Sequence, residues 1–325
     1  MEAGLLAPLV GILVDRWGPR RLLLGGVIIS SLGLILLSRT NSLAMFYGAF
    51  LILGVGMSIC SSTVLMAAVA NWVNRKIDVA TGIMVSGYGF GGLLVPVIVR
   101  LIEPYGWQEA LTLLTVGMMT LCLPLSLLVR HKPEQYGYQA NGEADGTLTS
   151  SSNSTRATIA EVNIGTRQAI KSLTFWHIAL SLLCQAIVVR VIVAHIMPYL
   201  ASIQTARREA SLIASSVPLI IIIGRLGLGW LGDRLDKRWV IAIAFAMMCG
   251  GLLCFAFVSF ETMWLLVLFL ILFGIGYGGN NTLKASVIRE FFGRGNFGAV
   301  HGLLLGMIAL GTIAGPPLAG WVFDN

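Results

Sequence analysis

Three basic side chains sit inside long apolar runs of this 325-residue chain: Arg225 in Ile223-Gly224-Arg225-Leu226-Gly227, Arg190 in Val188-Val189-Arg190-Val191-Ile192, and Lys284 in Thr282-Leu283-Lys284-Ala285. A charge at the centre of a hydrocarbon-embedded helix costs at least about 2.5–3.5 kcal/mol, so such residues need a function or a partner. A planar guanidinium grips a carboxylate through two parallel hydrogen bonds, and the chemistry these residues suggest is the binding and release of an anion. Arg225 stands eight residues before Asp233, about 12 Å along a helix, too deep to reach the interface easily. Its alternative role is a structural bond to backbone carbonyls. Arg190 lies further along its segment and could instead snorkel outward or brace neighbouring helices. Lys284 is four residues from a segment end and reads first as an interfacial lysine.

No Asp or Glu is expected deep in an apolar segment, so an anionic substrate would supply the missing counter-charge. Gln185, Tyr47, Tyr88, Tyr277, Asn280 and Asn281 are candidate hydrogen-bonding groups around it. Interhelical bonds are the alternative for each. Tyr88 and Asn280-Asn281 both sit in glycine-rich stretches (Gly87-Tyr88-Gly89-x-Gly91-Gly92 and Gly274-x-Gly276-x-Gly278-Gly279) that would also serve close helix packing. Nothing resembles an enzyme site: there is no nucleophile–base pair, metal cluster or H-E-x-x-H. No metal or cofactor is expected. His195 stands near a segment end and reads as an interfacial residue.

The elements that must hold these groups are helices. The chain is 56% hydrophobic and 11% charged, against about 25% charged in soluble domains. Its apolar runs do not alternate as barrel strands would. They fall at 3–14, 22–38, 43–70, 79–101, 110–129, 173–200, 210–231, 239–258, 263–288 and 300–322. The fold class is therefore an all-α polytopic membrane protein, with about ten transmembrane helices visible. Most runs approach the ~20 residues that span a bilayer; the first is too short. The net charge of +7 reflects Lys and Arg in loops rather than a nucleic-acid partner. Cys60, Cys122, Cys184, Cys249 and Cys254 all lie in apolar runs without metal-like spacing and read as free. No cleavable signal is visible at the start.

One pattern occurs twice. Gly11-Ile12-Leu13-Val14-Asp15-Arg16-Trp17-Gly18-Pro19-Arg20-Arg21 and Gly229-Trp230-Leu231-Gly232-Asp233-Arg234-Leu235-Asp236-Lys237-Arg238 share Gly, Leu, Asp, Arg and Arg at an offset of 218. Gly54/Gly274, Gly56/Gly276, Gly82/Gly302, Gly91/Gly311 and Pro96/Pro316 match at an offset of 220. Such duplication implies two pseudo-symmetric helical bundles, at 1–130 and 172–325, joined by a polar linker at 131–171. The glycosylation-like Asn153-Ser154-Thr155 falls in that linker. Loop Lys and Arg concentrate on the side holding Arg16, Arg20, Arg234 and Arg238, which makes that side, and the linker, cytoplasmic in a plasma (cell inner) membrane. Gly11 and Gly229 would admit a neighbouring helix. Asp15 and Asp233 would pair with nearby arginines or cap an adjacent helix N-terminus, latching the halves in one state.

The repeated Gly-x-Leu-x-Asp-Arg pattern, set in two halves around a linker, resembles the major facilitator superfamily over nearly the whole chain. The resemblance implies an alternating-access transporter in which the motif joins the second and third, and the eighth and ninth, helices. On that alignment the chain would lack the family's first and twelfth helices. Tyr105-Gly106-Trp107-Gln108-Glu109-Ala110, Arg130-x-x-Pro133-Glu134, Phe175-Trp176, His195-Ile196-Met197-Pro198-Tyr199-Leu200 and Ile223-Gly224-Arg225-Leu226-Gly227 are similar to the monocarboxylate and oxalate/formate antiporter-like branches. There the eighth-helix arginine binds the substrate carboxylate. Two departures bear on the substrate. Residues 300–322 contain no lysine, against an oxalate carrier, and Ile221 replaces the acid that monocarboxylate carriers place four residues before the arginine. The resemblance thus implies a carrier of small organic anions such as monocarboxylates, expected to act as a monomer. The alternatives are a drug-type efflux carrier and a truncated, non-transporting membrane protein.

Overall fold

The computed structural model describes residues 4, 6–73, 76–93, 95–131, 165–202, 207–259, 262–293 and 295–324. These form twelve helices: α1 (Ala7–Trp17), α2 (Pro19–Ser38), α3 (Leu43–Ile59), α4 (Ser62–Trp72), α5 (Ile77–Leu93), α6 (Val95–Leu128), α7 (Thr166–Lys171), α8 (Leu173–Ser202), α9 (Arg207–Gly232), α10 (Lys237–Ala256), α11 (Trp264–Phe292) and α12 (Phe297–Asp324). There is no strand among the described residues. Most of the linker expected at 131–171, including Asn153, lies outside the described residues; His131 and the short α7 are within them.

Seven helical stretches are long and apolar enough to cross a membrane: Pro19–Ser38, Leu43–Trp72, Arg100–Leu128, Leu173–Ile196, Lys237–Ala256, Trp264–Phe292 and Phe297–Val322. Three of the ten apolar runs of the sequence are not among these stretches: α1 has 11 described residues, α5 has 17, and the described apolar part of α9 is Ser216–Gly232. Large apolar side chains such as Leu43, Leu128, Leu173 and Phe257 are exposed. In lipid these faces meet acyl chains, and helices are the form that keeps every backbone group paired there.

Two interruptions occur, one within a run and one between runs. The run at 43–70 breaks at Cys60-Ser61, where Cys60 N–H donates to the Gly56 carbonyl and Ser61 is the N-cap of α4. Helix α6 carries Pro104 and a non-helical Gly106 at φ 76°, ψ 166°. That positive φ favours glycine, and the break separates the runs at 79–101 and 110–129.

Two compact units are formed. Unit 1 comprises Met1–Asn74, Leu94–Leu183 and Ile288–Leu310; unit 2 comprises Arg75–Leu93, Cys184–Val287 and Gly311–Asn325. In unit 1, α2 and α3 approach through glycines. A Cβ on Gly33 would lie 2.7 Å from Leu53 N, and one on Gly56 would strike the backbone of Ser30. In unit 2, α10 and α11 repeat this packing. A Cβ on Gly251 would lie 2.8 Å from Phe273 N, and one on Gly276 would lie 3.0 Å from Met248 N. Each residue stands 218 or 220 positions from its counterpart, so the sequence repeat is a repeat of backbone contacts. The apolar core of unit 2 gathers Val189, Ile192, Ile196, Met248, Leu266, Phe269 and Phe273.

Substituting Val at Gly56 or Gly276 is expected to lower stability by about 1–3 kcal/mol, the usual result of overpacking. Thermal unfolding in detergent would read this as a drop of several degrees. Gly25, where an added Cβ would meet nothing within 4 Å, is expected to tolerate Ala without a shift.

Candidate functional site

Helix α1 ends in the first motif copy. Gly18, at φ 81°, closes it by donating its N–H to the Val14 carbonyl. Asp15, in the last turn, accepts from Gly298 N at 3.0 Å and Ala299 N at 2.8 Å. Those are amides of the first turn of α12. The second copy does the same to α5: Asp233 accepts from Asp78 N at 3.1 Å and Val79 N at 3.0 Å. First-turn amides have no partner within their own helix, and a carboxylate there gains from the helix dipole by about 0.3–2 kcal/mol. Each aspartate therefore caps a helix of the opposite sequence half. The motif glycines make the approach possible. A Cβ on Gly11 would collide with the Gly298 carbonyl, and one on Gly229 would lie 3.0 Å from the Asp78 carbonyl oxygen.

The motif arginines Arg16, Arg20, Arg234 and Arg238 are exposed. Arg234 lies over the Trp230 ring, 3.9 Å from its centroid. The helix following each copy starts differently. Pro19 occupies the first turn of α2 without a side-chain cap, whereas Asp236 caps α10 by accepting from Arg238 N at 3.0 Å. The first copy also meets the start of the linker. A Cβ on Gly18 would lie 2.8 Å from the His131 ring, while Asn71 and Trp72 donate to the carbonyls of His131 and Arg130.

A buried acid stands at a helix start, in the first turn rather than deep in the apolar run: Asp78 is fully buried. The apolar run begins at Val79, but capping by Asp233 lets α5 start at Ile77, which draws Asp78 into the first turn. Its carboxylate sits where Gly232 leaves room, 3.0 Å from the Cβ position of that glycine.

Deeper in unit 2, α5, α9 and α11 meet at Arg225. The arginine is 9% exposed. Its Nη1 donates to the Val85 carbonyl at 2.6 Å, and its own carbonyl accepts from Thr282 Oγ1 at 3.4 Å. The bond to backbone anticipated as its structural role is thus present. Its Nε has no partner among the described residues. Tyr277 and Tyr88 are within electrostatic reach of the guanidinium; Tyr88 is exposed. Glycines again set the distance: a Cβ on Gly82 would lie 2.8 Å from the Arg225 carbonyl oxygen, and one on Gly278 would lie 3.0 Å from Arg225 N.

The remaining candidates divide. Asn281 donates to the Tyr277 carbonyl at 3.0 Å and accepts from Lys284 Nζ at 2.7 Å. Asn280 is buried and its Nδ2 has no partner among the described residues. Gln185 is buried but turns to Met248, with Nε2 3.6 Å from Sδ. Arg190 is exposed on α8, as is Tyr47 on α3. Half-buried His195 belongs to none of these bonded groups. No cluster of three or more His, Cys, Asp or Glu suited to a metal occurs among the described residues.

Sequence reasoning missed one relation that the repeat could have supplied. A Cβ on Gly302 would collide with the Ala7 carbonyl, as one on Gly82 would crowd that of Arg225. Gly82 and Gly302 are 220 apart, and Ala7 and Arg225 are 218 apart. Arg225 therefore occupies the place where the first copy has alanine.

The family model for the Major Facilitator Superfamily matches residues 2–206 and 186–325. The chain belongs to the major facilitator superfamily. It is an integral membrane transporter rather than an enzyme. Mouse monocarboxylate transporter 12 is 28% identical over 337 residues, covering 99% of this chain and 69% of the relative. The fujikurins efflux protein of Gibberella fujikuroi is 33% identical over 134 residues, 40% of this chain and 28% of that protein. Among solved structures, the human organic anion transporter MFSD10 matches with a TM-score of 0.73 at 16% identity, over 99% of this chain and 75% of that one. The E. coli fucose:proton symporter matches at 0.72 and 15%, over 99% and 82%. At such identities the structures report the two-bundle fold of the superfamily.

Replacing Asp233 with Ala is expected to speed amide exchange at residues 78 and 79, and Asp15→Ala at residues 298 and 299, by about tenfold each. Exchange followed by mass spectrometry should show each effect at its own helix only. The Asn variants should fall between, because a neutral carbonyl still accepts but carries no charge.

Proposed function

We propose that this chain is a secondary active, alternating-access carrier of small organic anions such as monocarboxylates, with Arg225 binding the substrate carboxylate. The observation that carries this reading is the contrast between Arg225 and Ala7. Both stand at the same helix contact in the two copies, and alanine satisfies the packing in one of them. The arginine answers to something other than the scaffold. Its Nε–H has no acceptor among the described residues, and a buried donor without an acceptor favours a ligand that brings one. A carboxylate fits, since it can also displace the Val85 carbonyl and take two guanidinium hydrogens at once. The printed name of the monocarboxylate transporter relatives supports the same class.

The substrate site is read as Arg225 with Tyr88, Asn280 and Asn281, while Gln185 and Arg190 have weaker support from their surroundings. The paired caps supply the gate. Asp15 and Asp233, admitted by Gly11 and Gly229, hold first-turn amides of the opposite sequence half and must release them for the halves to part. The exposed Arg16, Arg20, Arg234 and Arg238 keep that end on the cytoplasmic side of a plasma membrane. The linker at 131–171 then joins bundles 1–130 and 172–325 on the same side.

Uptake of labelled lactate or pyruvate into vesicles carrying the chain tests the site. Loss of a charge-assisted hydrogen bond costs about 1.5–3 kcal/mol, so Arg225→Ala is expected to reduce uptake by at least about tenfold. Arg225→Lys keeps the charge without the planar fork and should fall between. Unchanged uptake in both variants removes Arg225 from the site.

A further inference from the structure

The second copy departs from the first along α11 as well as at Arg225. At an offset of 220, Tyr277, Asn280, Asn281 and Lys284 replace Met57, Cys60, Ser61 and Val64. The helix contact just before them is shared, because Gly276 meets the backbone of Met248 as Gly56 meets that of Ser30, whereas α11 runs on unbroken where the first copy breaks at Cys60-Ser61. The charge at Lys284 belongs to the second copy alone. Tyr277, Asn281 and Lys284 follow at spacings of four and three, which puts them on one helix face. Two bonds join them in sequence: Lys284 Nζ to Asn281 Oδ1, and Asn281 Nδ2 to the Tyr277 carbonyl.

The same helix reaches Arg225. Thr282 and Gly278 touch the Arg225 backbone, and Tyr277 is within electrostatic reach of the guanidinium. Neighbouring helices α9 and α11 thus carry two cations, neither of which is bonded to a carboxylate among the described residues. Each is held by a neutral oxygen, the Val85 carbonyl for Arg225 and the Asn281 amide for Lys284. From Tyr277 to Lys284 is two helix turns, about 10 Å.

We propose that Lys284 is a second anion-binding residue and that the site takes a dicarboxylate, one end on Arg225 and the other on Lys284. Asn281 Oδ1 holds the ammonium until the second carboxylate replaces it. This inference rests on the reading of Arg225 as the anion site. A monocarboxylate neutralises one of the two cations, whereas a dianion neutralises both. The compact ammonium on its flexible stem can follow anions of different length.

Proteoliposomes of the full chain, supplied with labelled succinate or lactate, test this. The wild type is expected to carry both, with the lower KM for succinate. Lys284→Met should raise the KM for succinate by about tenfold, the loss of one charge-assisted pair, and change that for lactate less than about twofold. Lys284→Arg should retain succinate uptake. Lys284→Gln keeps a polar partner for Asn281 Oδ1 without the charge and should likewise raise the KM for succinate while leaving that for lactate within about twofold, which keeps the test intact if the Met variant fails to fold. Equal losses for both anions in Lys284→Met, no loss for either, or a wild type that carries lactate and refuses succinate would each overturn the dicarboxylate site. The underlying reading fails separately: Arg225→Ala then leaves both uptakes unchanged, or the wild type carries neither anion.

Discussion

A helix in hydrocarbon can satisfy all of its backbone groups except those of its ends, and the ends of α5 and α12 are closed by side chains from elsewhere in the chain. Asp233 and Asp15 each accept two first-turn amides, so the start of each helix depends on a carboxylate more than 150 residues away. Other features of these contacts follow from that requirement. Glycine at 11 and 229 brings the helices within reach, and glycine at 82 and 302 lets them stay together past the cap. A larger residue at any of the four would move the carboxylate from the amides it serves. The capping also explains why α5 begins early enough to bury Asp78.

Repetition then separates scaffold from specificity. Contacts that recur in both copies, Gly33/Leu53 with Gly251/Phe273 and Gly56/Ser30 with Gly276/Met248, need nothing from a substrate and are explained by packing. Residues that differ at equivalent places cannot be explained that way. Ala7 against Arg225 exchanges an apolar side chain for a charge at the same backbone contact, and Val64 against Lys284 does so at the same repeat offset. Placing a charge in such a setting is unfavourable on its own. The excess of cations in the second copy is what supports the proposed anionic substrate.

Much of this was legible in the sequence because it depends on backbone rules. The duplicated Gly…Asp-Arg pattern revealed the repeat, and the position of each aspartate at a helix end left an arginine pair or a cap open, without naming the helix capped. Apolar length gave the helical class. What stayed hidden depends on register between distant segments. The burial of Asp78 arises from a partner 155 positions away, which no local window contains. The break at Cys60-Ser61 falls inside the run at 43–70, where Ser58, Ser61, Ser62 and Thr63 give a local signal that the apolarity of the whole run outweighs. Arg225 was visible as a charge at depth, yet its bond to Val85 required knowing that α5 lies beside α9. Applying the repeat offset to Ala7 would have exposed the contrast with Arg225 from sequence alone.

The same pair of helices carries both the cap and the candidate anion residue, which bears on how binding would reach the gate. Arg225 and Asp233 stand eight residues apart on and just beyond α9, about 12 Å, and both bond to α5, at Val85 and at residues 78 and 79. A carboxylate that draws the guanidinium from the Val85 carbonyl removes one of these attachments. The two are of similar size, since hydrogen bonds to charged groups contribute about 1.5–3 kcal/mol each. With Arg225 as the anion site, substrate entry leaves α5 held to α9 by the cap and the glycine contacts, and release of the cap then meets less resistance. No rigid transmission path is needed, only two bonds shared by one helix pair.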